Sequence, residues 1–200
     1  MFSLKELIDL RIVKTKQFLR DALLELILEN GFESITVKNL TERAQINRST
    51  FYAHYYDKYD LLERTIDEML LSFAEEVAPK SVEELTEANI PKAFFLRAFQ
   101  YIHKHARFFT VMMGKNGIPS FQRQMLQIIS QFMEDRLEKF HPQLDKMAVP
   151  KAFFISYVAH ANLGIISYWL ENDLKYSPQY MAEQLTNMTV EGPFSVAKLK

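Results

Sequence analysis

The chain has no cysteine, only five glycines among 200 residues, and a net charge of −1. Each shortage excludes something. Without cysteine there is no disulfide, no thiolate nucleophile and no cysteine-based zinc site, and a reducing compartment fits. No uninterrupted apolar run approaches the 18 residues of a membrane span, so a membrane is not expected as a partner. The N-terminus, MFSLKELIDLRIVK, lacks a basic segment followed by an apolar run, which argues against a secretory signal. The near-neutral charge withholds the basic excess common in nucleic-acid binders. Repeats, low-complexity segments, glycine-rich phosphate loops, HExxH patterns and nucleophile elbows are all missing. No catalytic set and no cofactor are therefore expected. His103 and His105 stand two apart and would point to different faces of a helix, so no metal site is expected either.

What remains is a chain of 48% hydrophobic residues, enough for one or two globular domains. No segment shows the period of a strand. Arg11–Glu29 carries Ile12, Leu19, Leu23, Leu26 and Ile27 at helical spacing, and Asn30-Gly31 reads as its stop, with glycine in the left-handed position. Thr36 is an N-cap for a second helix with Val37, Leu40 and Ala44 on one face. Gln45-Ile46 turns the chain, Asn47 caps a third helix, and Asp57 caps a fourth that runs to about Val77. Lys80–Asn89 reads as a polar loop. Beyond it, helices are expected at Pro91–His105, Ala106–Met113, Ile118–Phe140, Val149–Asn172 and Pro178–Met188, with Gly114–Gly117 and His141-Pro142 between them. The expectation is an all-α fold of about nine helices: an N-terminal three-helix domain over residues 11–71, a C-terminal antiparallel bundle over 72–190, and a loose tail over 191–200.

Thr36–Leu62, TVKNLTERAQINRSTFYAHYYDKYDLL, is the most informative stretch. Two short helices joined by a tight turn need a small residue where they cross, a plug in the turn and hydrogen-bonding groups on the outer face. Ala44, Ile46 and the set Arg48, Ser49, Tyr52 and His54 or Tyr55 fill these roles over about residues 35–54. Arg48 can reach a guanine edge or a phosphate. The hydroxyls of Thr50, Tyr52 and Tyr55 suit phosphates, and Lys58 in the first turn of helix four suits another. A solvated helix face is the bland reading of the same residues, and Lys38 and Arg43 face that choice too. Charge does not decide it: residues 1–60 hold nine basic and nine acidic side chains.

Spacing does. Thr36, Val37, Leu40, Thr41, Ala44, Ile46, Asn47, Thr50, Phe51, Tyr52, His54, Tyr55, Lys58, Leu61 and Leu62 follow the pattern T-V-x-x-I-A-x-x-A-G-V-S-x-x-T-F-Y-x-H-F-x-x-K-x-x-L-L, and the stretch resembles the DNA-binding domain of the TetR family of transcriptional regulators. Gln45 departs from it where glycine is frequent, at a cost of about 1 kcal/mol if the backbone there is left-handed. Asn47 replaces serine and keeps the capping chemistry. Gly164–Leu185 also resembles the C-terminal region of a subgroup that includes a dihydroxyacetone-operon activator. The resemblance implies a homodimeric cytoplasmic regulator, on the nucleoid when bound, that grips a near-palindromic double-stranded operator. The implied DNA contacts are Thr36, Lys38, Asn47, Arg48, Ser49, Thr50, Tyr52, His54, Tyr55 and Lys58. It does not separate repressor from activator.

The C-terminal region is dense in Phe and Met. Such residues at helical spacing are ordinarily core. As a cluster they also suit a tolerant apolar site. A small, apolar or amphipathic effector is expected among Phe95, Phe99, His103, Met113, Phe132, Phe153, Tyr157 and His160, with Gln100 and Asn162 as further polar groups. A protein co-regulator is the alternative. Val149–Asn172 is apolar on more than one face and so must be covered on several sides. A symmetric partner packing on Ile155, Val158, Ala159, Leu163, Ile166, Trp169 and Leu170 is one explanation; burial inside one chain is the other.

Overall fold

A computed structural model describes residues 4–78, 89–140 and 147–198. Residues 80–88 of the expected polar loop, and His141-Pro142, lie outside them. Ten α-helices and one 3-10 turn make up the secondary structure of the described residues, and no strand occurs among them. The chain divides into two compact units. Met1–Met69 with Val111–Ile118 forms the first, and Leu70–Thr110 with Pro119–Lys200 the second.

In the first unit, α1 runs from Leu4 to Asn30, a start seven residues before the expected Arg11. No glycine or proline stands between Leu4 and Arg11 to begin it later. Gly31 stops it at φ 73° and ψ 154°. That is not the left-handed helical region anticipated but an extended conformation of positive φ, which only glycine adopts at low cost. A 3-10 turn, Phe32–Ser34, leads to α2 (Val37–Arg43) and α3 (Arg48–Tyr52). Leu19, Leu23 and Ile27 of α1, Leu40 of α2, Phe51 of α3 and Leu61 of α4 (Lys58–Val77) are wholly buried and form the core of this unit. The segment Val111–Ile118 adds a tight turn in which the N–H of Gly117 donates to Gly114 O at 2.8 Å and that of Ile118 to Met112 O at 2.9 Å. A Cβ at Gly117 would lie 2.4 Å from Met112 O, so the turn admits only glycine there. Asn116 Nδ2 donates to Leu28 O in the last turn of α1 at 3.2 Å.

The second unit contains the end of α4, α5 (Asn89–Lys104), most of α6 (Ala106–Met113), α7 (Pro119–Phe140), α8 (Lys151–Glu171), α9 (Pro178–Glu191) and α10 (Pro193–Val196). α5 packs on α9, and α7 on α8. Rings set much of the packing. Phe99 meets Trp169 edge to face at 5.2 Å, and Phe94 stacks on Phe132 at 3.7 Å. The Trp169 indole N–H donates to Tyr176 O at 2.9 Å, so the buried ring leaves no polar atom unpaired. Ser177 caps α9 by accepting from the N–H of Tyr180 at 3.2 Å, and Pro178 occupies the first helical position. Gly192, at φ 85°, ends α9, and Pro193 starts one further helical turn, so the expected loose tail contains α10. α8 also departs from expectation: over 18 residues its mean hydropathy reaches 1.2, enough with its length to pass for a membrane span. Its polar residues interrupt every long apolar run without lowering the average far.

Candidate nucleic-acid interface

The turn between α2 and α3 sets the presentation of α3. Thr36 Oγ1 accepts from the N–H of Asn39 at 3.2 Å while Asn39 Oδ1 accepts from the N–H of Thr36 at 3.0 Å, a reciprocal cap on α2. At the other end, the N–H of Ile46 donates to Thr41 O at 3.0 Å and that of Gln45 to Glu42 O at 3.2 Å. This is a Schellman closure, and it places Gln45 at φ 54°. The non-glycine residue therefore does sit in the left-handed region. Asn47 occupies the N-cap position of α3 with extended backbone but makes no side-chain cap bond, contrary to its expected role.

On the outer face of α3, Arg48 Nη2 donates to Tyr52 Oη at 3.1 Å, and the guanidinium lies 5.5 Å from the tyrosine ring centroid. The two exposed side chains, one helical turn apart, are held as a pair. Ser49 is exposed beside them, and Thr50 and His54 are half-buried. Thr36 and Lys38 are exposed on α2, with Lys38 3.8 Å from Glu42.

Two groups expected at DNA are placed otherwise than the spacing suggested, and Arg43, for which the sequence leaves both readings open, is paired within its own unit. Tyr55 is 6% exposed and packs on Phe51, and burial pushes its phenol pKa up. It is a core residue. Lys58 points back into its own unit. Its Nζ donates to Phe32 O at 3.1 Å and Glu33 O at 2.8 Å and stands 4.7 Å from the Phe32 ring centroid, so two of its three donors are used in tying α4 to the 3-10 turn. Arg43 is clamped between Glu29 at 2.7 Å and Glu25 at 3.1 Å on α1. Hydrogen bonding to Arg43 holds the Glu29 carboxyl below its ordinary range, and the same bond raises the guanidinium. At the start of α4, Asp57 Oδ1 accepts from the N–H groups of Tyr59 and Asp60 at 2.8 and 2.9 Å, the expected cap. The N–H of Tyr56 to Asp60, followed by Arg64, lowers the Asp60 pKa.

The second unit holds a small apolar cavity of about 10 Å³. Of the eight residues expected around an effector, only Phe95 and Phe99 line it, with Phe73, Ile102 and Ile166 among their neighbours. His103 stacks on Trp169 instead, at 6.1 Å. Phe132 is taken by Phe94, and Met113 belongs to the first unit. Phe153 and Tyr157 are 65% and 58% exposed, and His160 is exposed with its Nδ1 2.8 Å from Ser156 O. Of the further polar groups, Gln100 is exposed, whereas Asn162 is 5% exposed and lines the cavity.

The seven residues expected to meet a second copy face inward as well. Ile155, Ala159, Leu163, Ile166, Trp169 and Leu170 are buried within the single chain, and Val158 packs on Met133, Leu137 and Ile155. The opposite face of α8 remains open, with Phe153, Tyr157, Gly164 and Tyr168 exposed.

Comparison with known proteins meets this geometry from two sides. Residues 19–65 match the family model described as bacterial regulatory proteins, tetR family, and residues 89–191 match that of a transcriptional regulator C-terminal region. The chain belongs to the TetR family. Its α2–α3 segment falls within the matched tetR-family region and takes the place of that family's helix-turn-helix. An uncharacterized HTH-type transcriptional regulator of Bacillus subtilis (strain 168), YxbF, is 24% identical over 176 residues, which cover 88% of this chain and 44% of that protein. The chain thus spans less than half the length of this relative. Among solved structures, the dihydroxyacetone kinase operon activator DhaS shares the fold with a TM-score of 0.57 at 18% identity, over 88% of this chain and 94% of that one. FadR from Bacillus subtilis in complex with stearoyl-CoA does so with 0.60 at 16%, over 88% and 98%.

Within this TetR-family domain, the sequence reading overlooked α1. Arg11 borders two open grooves beside α3, and Lys14 one of them. The signal was present: residues 10–20 contain Arg11, Lys14, Lys16 and Arg20 and no acidic residue.

Proposed function

We propose that two copies of this chain bind a near-palindromic DNA operator, each laying the outer face of α3 in one major-groove half-site. The Arg48–Tyr52 pair carries the reading: an exposed guanidinium steadied by a neighbouring hydroxyl suits a guanine edge, and Ser49 and Thr50 sit where phosphate oxygens pass. Arg48→Ala is expected to weaken operator binding by roughly 1–3 kcal/mol and relax discrimination at one base pair, read by fluorescence anisotropy on fragments selected from genomic DNA. Unchanged affinity and discrimination would remove α3 from the groove.

The open face of α8 supports a dimer. Phe153, Tyr157 and Tyr168 leave an apolar surface on a helix whose other face is already buried, and a Cβ at Gly164 would meet nothing within 4 Å, so a partner helix can approach there. Tyr157→Glu should shift the light-scattering mass toward a monomer. A monomeric parent at micromolar concentration would refute the arrangement.

Control is proposed to act through the second unit, and α4 contributes to both units. Asn162 is the one polar side chain lining a cavity whose other walls are apolar. The effector is therefore a small, uncharged molecule with one hydrogen-bonding group, and it must push aside Phe95 or Phe99 to enter. A melting-temperature rise with 1-hexanol, absent with hexanoate and lost in Asn162→Leu, tests this. The cavity's small volume favours a second reading, control by a protein co-regulator, which pull-down from cells followed by operator release would support.

A further inference from the structure

The first unit presents a second set of cations to DNA besides α3. Arg11 and Lys14 lie three residues apart on α1, a spacing that puts both on one helix face. Both are exposed, and neither side chain has an ion-pair or hydrogen-bond partner among the described residues. Several other cations of the unit are already committed: Arg20 is paired with Glu68, Lys38 with Glu42, Arg43 with two glutamates, Arg64 with Asp60, and Lys58 with two carbonyls. Their location is equally specific. A groove of about 540 Å³ runs between α1 and the start of α3, walled by Arg11 and Lys14 on one side and Asn47 and Thr50 on the other. A second, of about 280 Å³, lies along the next turn of α3, between Arg11 and the side chains of Ser49, Thr50 and His54. Thr50 and Arg11 wall both. Asn47, which spends no side-chain bond on capping α3, keeps its carboxamide donors free for the first groove.

We infer that this α1–α3 cleft is a DNA-phosphate clamp: Arg11 and Lys14, with Asn47 and Thr50 opposite, grip the sugar–phosphate backbone of the strand that borders the groove read by Arg48. A helix seated in a major groove about 12 Å wide has a phosphate strand along each side, and on the α1 side of α3 the grooves are walled by Arg11 and Lys14. The clamp supplies what the chain's overall charge does not. Its net charge is −1, yet residues 10–20 hold four basic side chains and no acidic one, so the attraction is local to the reading head. The clamp is blind to sequence. It fixes how far α3 turns about its own axis in the groove and leaves base choice to Arg48.

This inference rests on the proposed docking of α3, and its test separates the two. The full chain is titrated with a selected operator fragment and with an unrelated duplex of equal length, across a series of salt concentrations. In Arg11→Gln/Lys14→Gln, affinity should fall on both duplexes by the same factor, and the slope of log K against log salt should drop by about 1.8, the release expected from two phosphates. The ratio between operator and unrelated duplex should hold. Arg11→Lys/Lys14→Arg, which keeps the charges, should restore the slope. Arg48→Ala should do the reverse and lose the ratio. An unchanged slope in the glutamine double variant overturns the clamp, as does a loss confined to the operator or a failure of the charge-preserving variant to restore it. Loss of the ratio in Arg48→Ala beside an unchanged slope in the double variant would leave α3 docked and the clamp wrong. A parent that binds neither duplex overturns both.

Discussion

The two compact units are held together by different means. In the first, polar bonds sit at fixed offsets along the chain: a reciprocal cap at Thr36 and Asn39, a Schellman closure at Gln45, an aspartate cap at Asp57, an ammonium shared between two carbonyls, and a guanidinium between two carboxylates. In the second, rings and branched side chains do most of the work. Directional bonds fix positions to a few tenths of an ångström, which an element that must enter a groove in one orientation requires. Apolar packing is non-directional. It tolerates alternative arrangements of similar energy, which suits a region that must respond to a signal.

Substitutions can break this contrast, beginning with the largest effect. Trp169→Ala removes the largest wholly buried side chain of the second unit and should cost about 3–5 kcal/mol in urea denaturation. If the units are held as differently as described, tryptophan-independent probes in the first unit should report a smaller loss. Lys58→Ala should destabilise the first unit by about 1–2 kcal/mol, through two lost charge-assisted bonds and the contact with Phe32. Its salt slope on DNA should change by less than one phosphate's worth. A full unit of slope with unaltered stability would return Lys58 to the DNA surface. Gln45→Gly relieves a positive φ and should raise stability by about 1 kcal/mol, seen as a later urea midpoint.

The smallest effect is one of pH. The Glu29 carboxyl is depressed in the folded state, chiefly by its bond to Arg43. A depressed carboxyl stabilises the fold above its unfolded pKa, near 4.3, and that contribution is lost as pH falls through the lower folded value. Stability should therefore fall more steeply below about pH 4.3 in the parent than in Arg43→Gln. The pair is exposed to solvent, so salt should shrink the difference. Parallel curves for parent and variant would show that the clamp on α1 contributes nothing.

The same contrast explains which features could be read from the residues alone. Thr36, Asp57 and Ser177 each cap a helix because a side-chain oxygen must stand at one offset from the amide it accepts, and that offset is visible in a sequence. The left-handed turn at Gln45 could be anticipated only through the glycine that the family pattern often carries at that position. Asn47 shows the limit: the position was right and the bond absent. Tyr55 and Lys58 show another, since an amphipathic side chain can turn its polar end outward or its body inward, and only the packing of Phe51 and Phe32 decides. On α8 the pattern is apolar nearly all round. Nothing in its period says which side faces the chain's own core, and the set expected at a partner's surface, Ile155 to Leu170, is the set that Met133 and its neighbours already cover or that lies buried around Trp169. The cavity was harder still. Phe95 and Phe99 were identifiable, but a void is the absence of side chains, and no spacing encodes it.

The turn at Gly117 bears on how the gene can be cut. Val111–Ile118 packs as part of the first unit, with Asn116 bonded to the last turn of α1, although Leu70–Thr110 of the second unit separates it in sequence from Met69. A reading head excised at residue 71 would leave that piece behind and expose the carbonyl of Leu28. Grafting this regulator onto another sensor is thus not a matter of joining two consecutive pieces, and a functional chimera must carry the 111–118 turn across with residues 4–69.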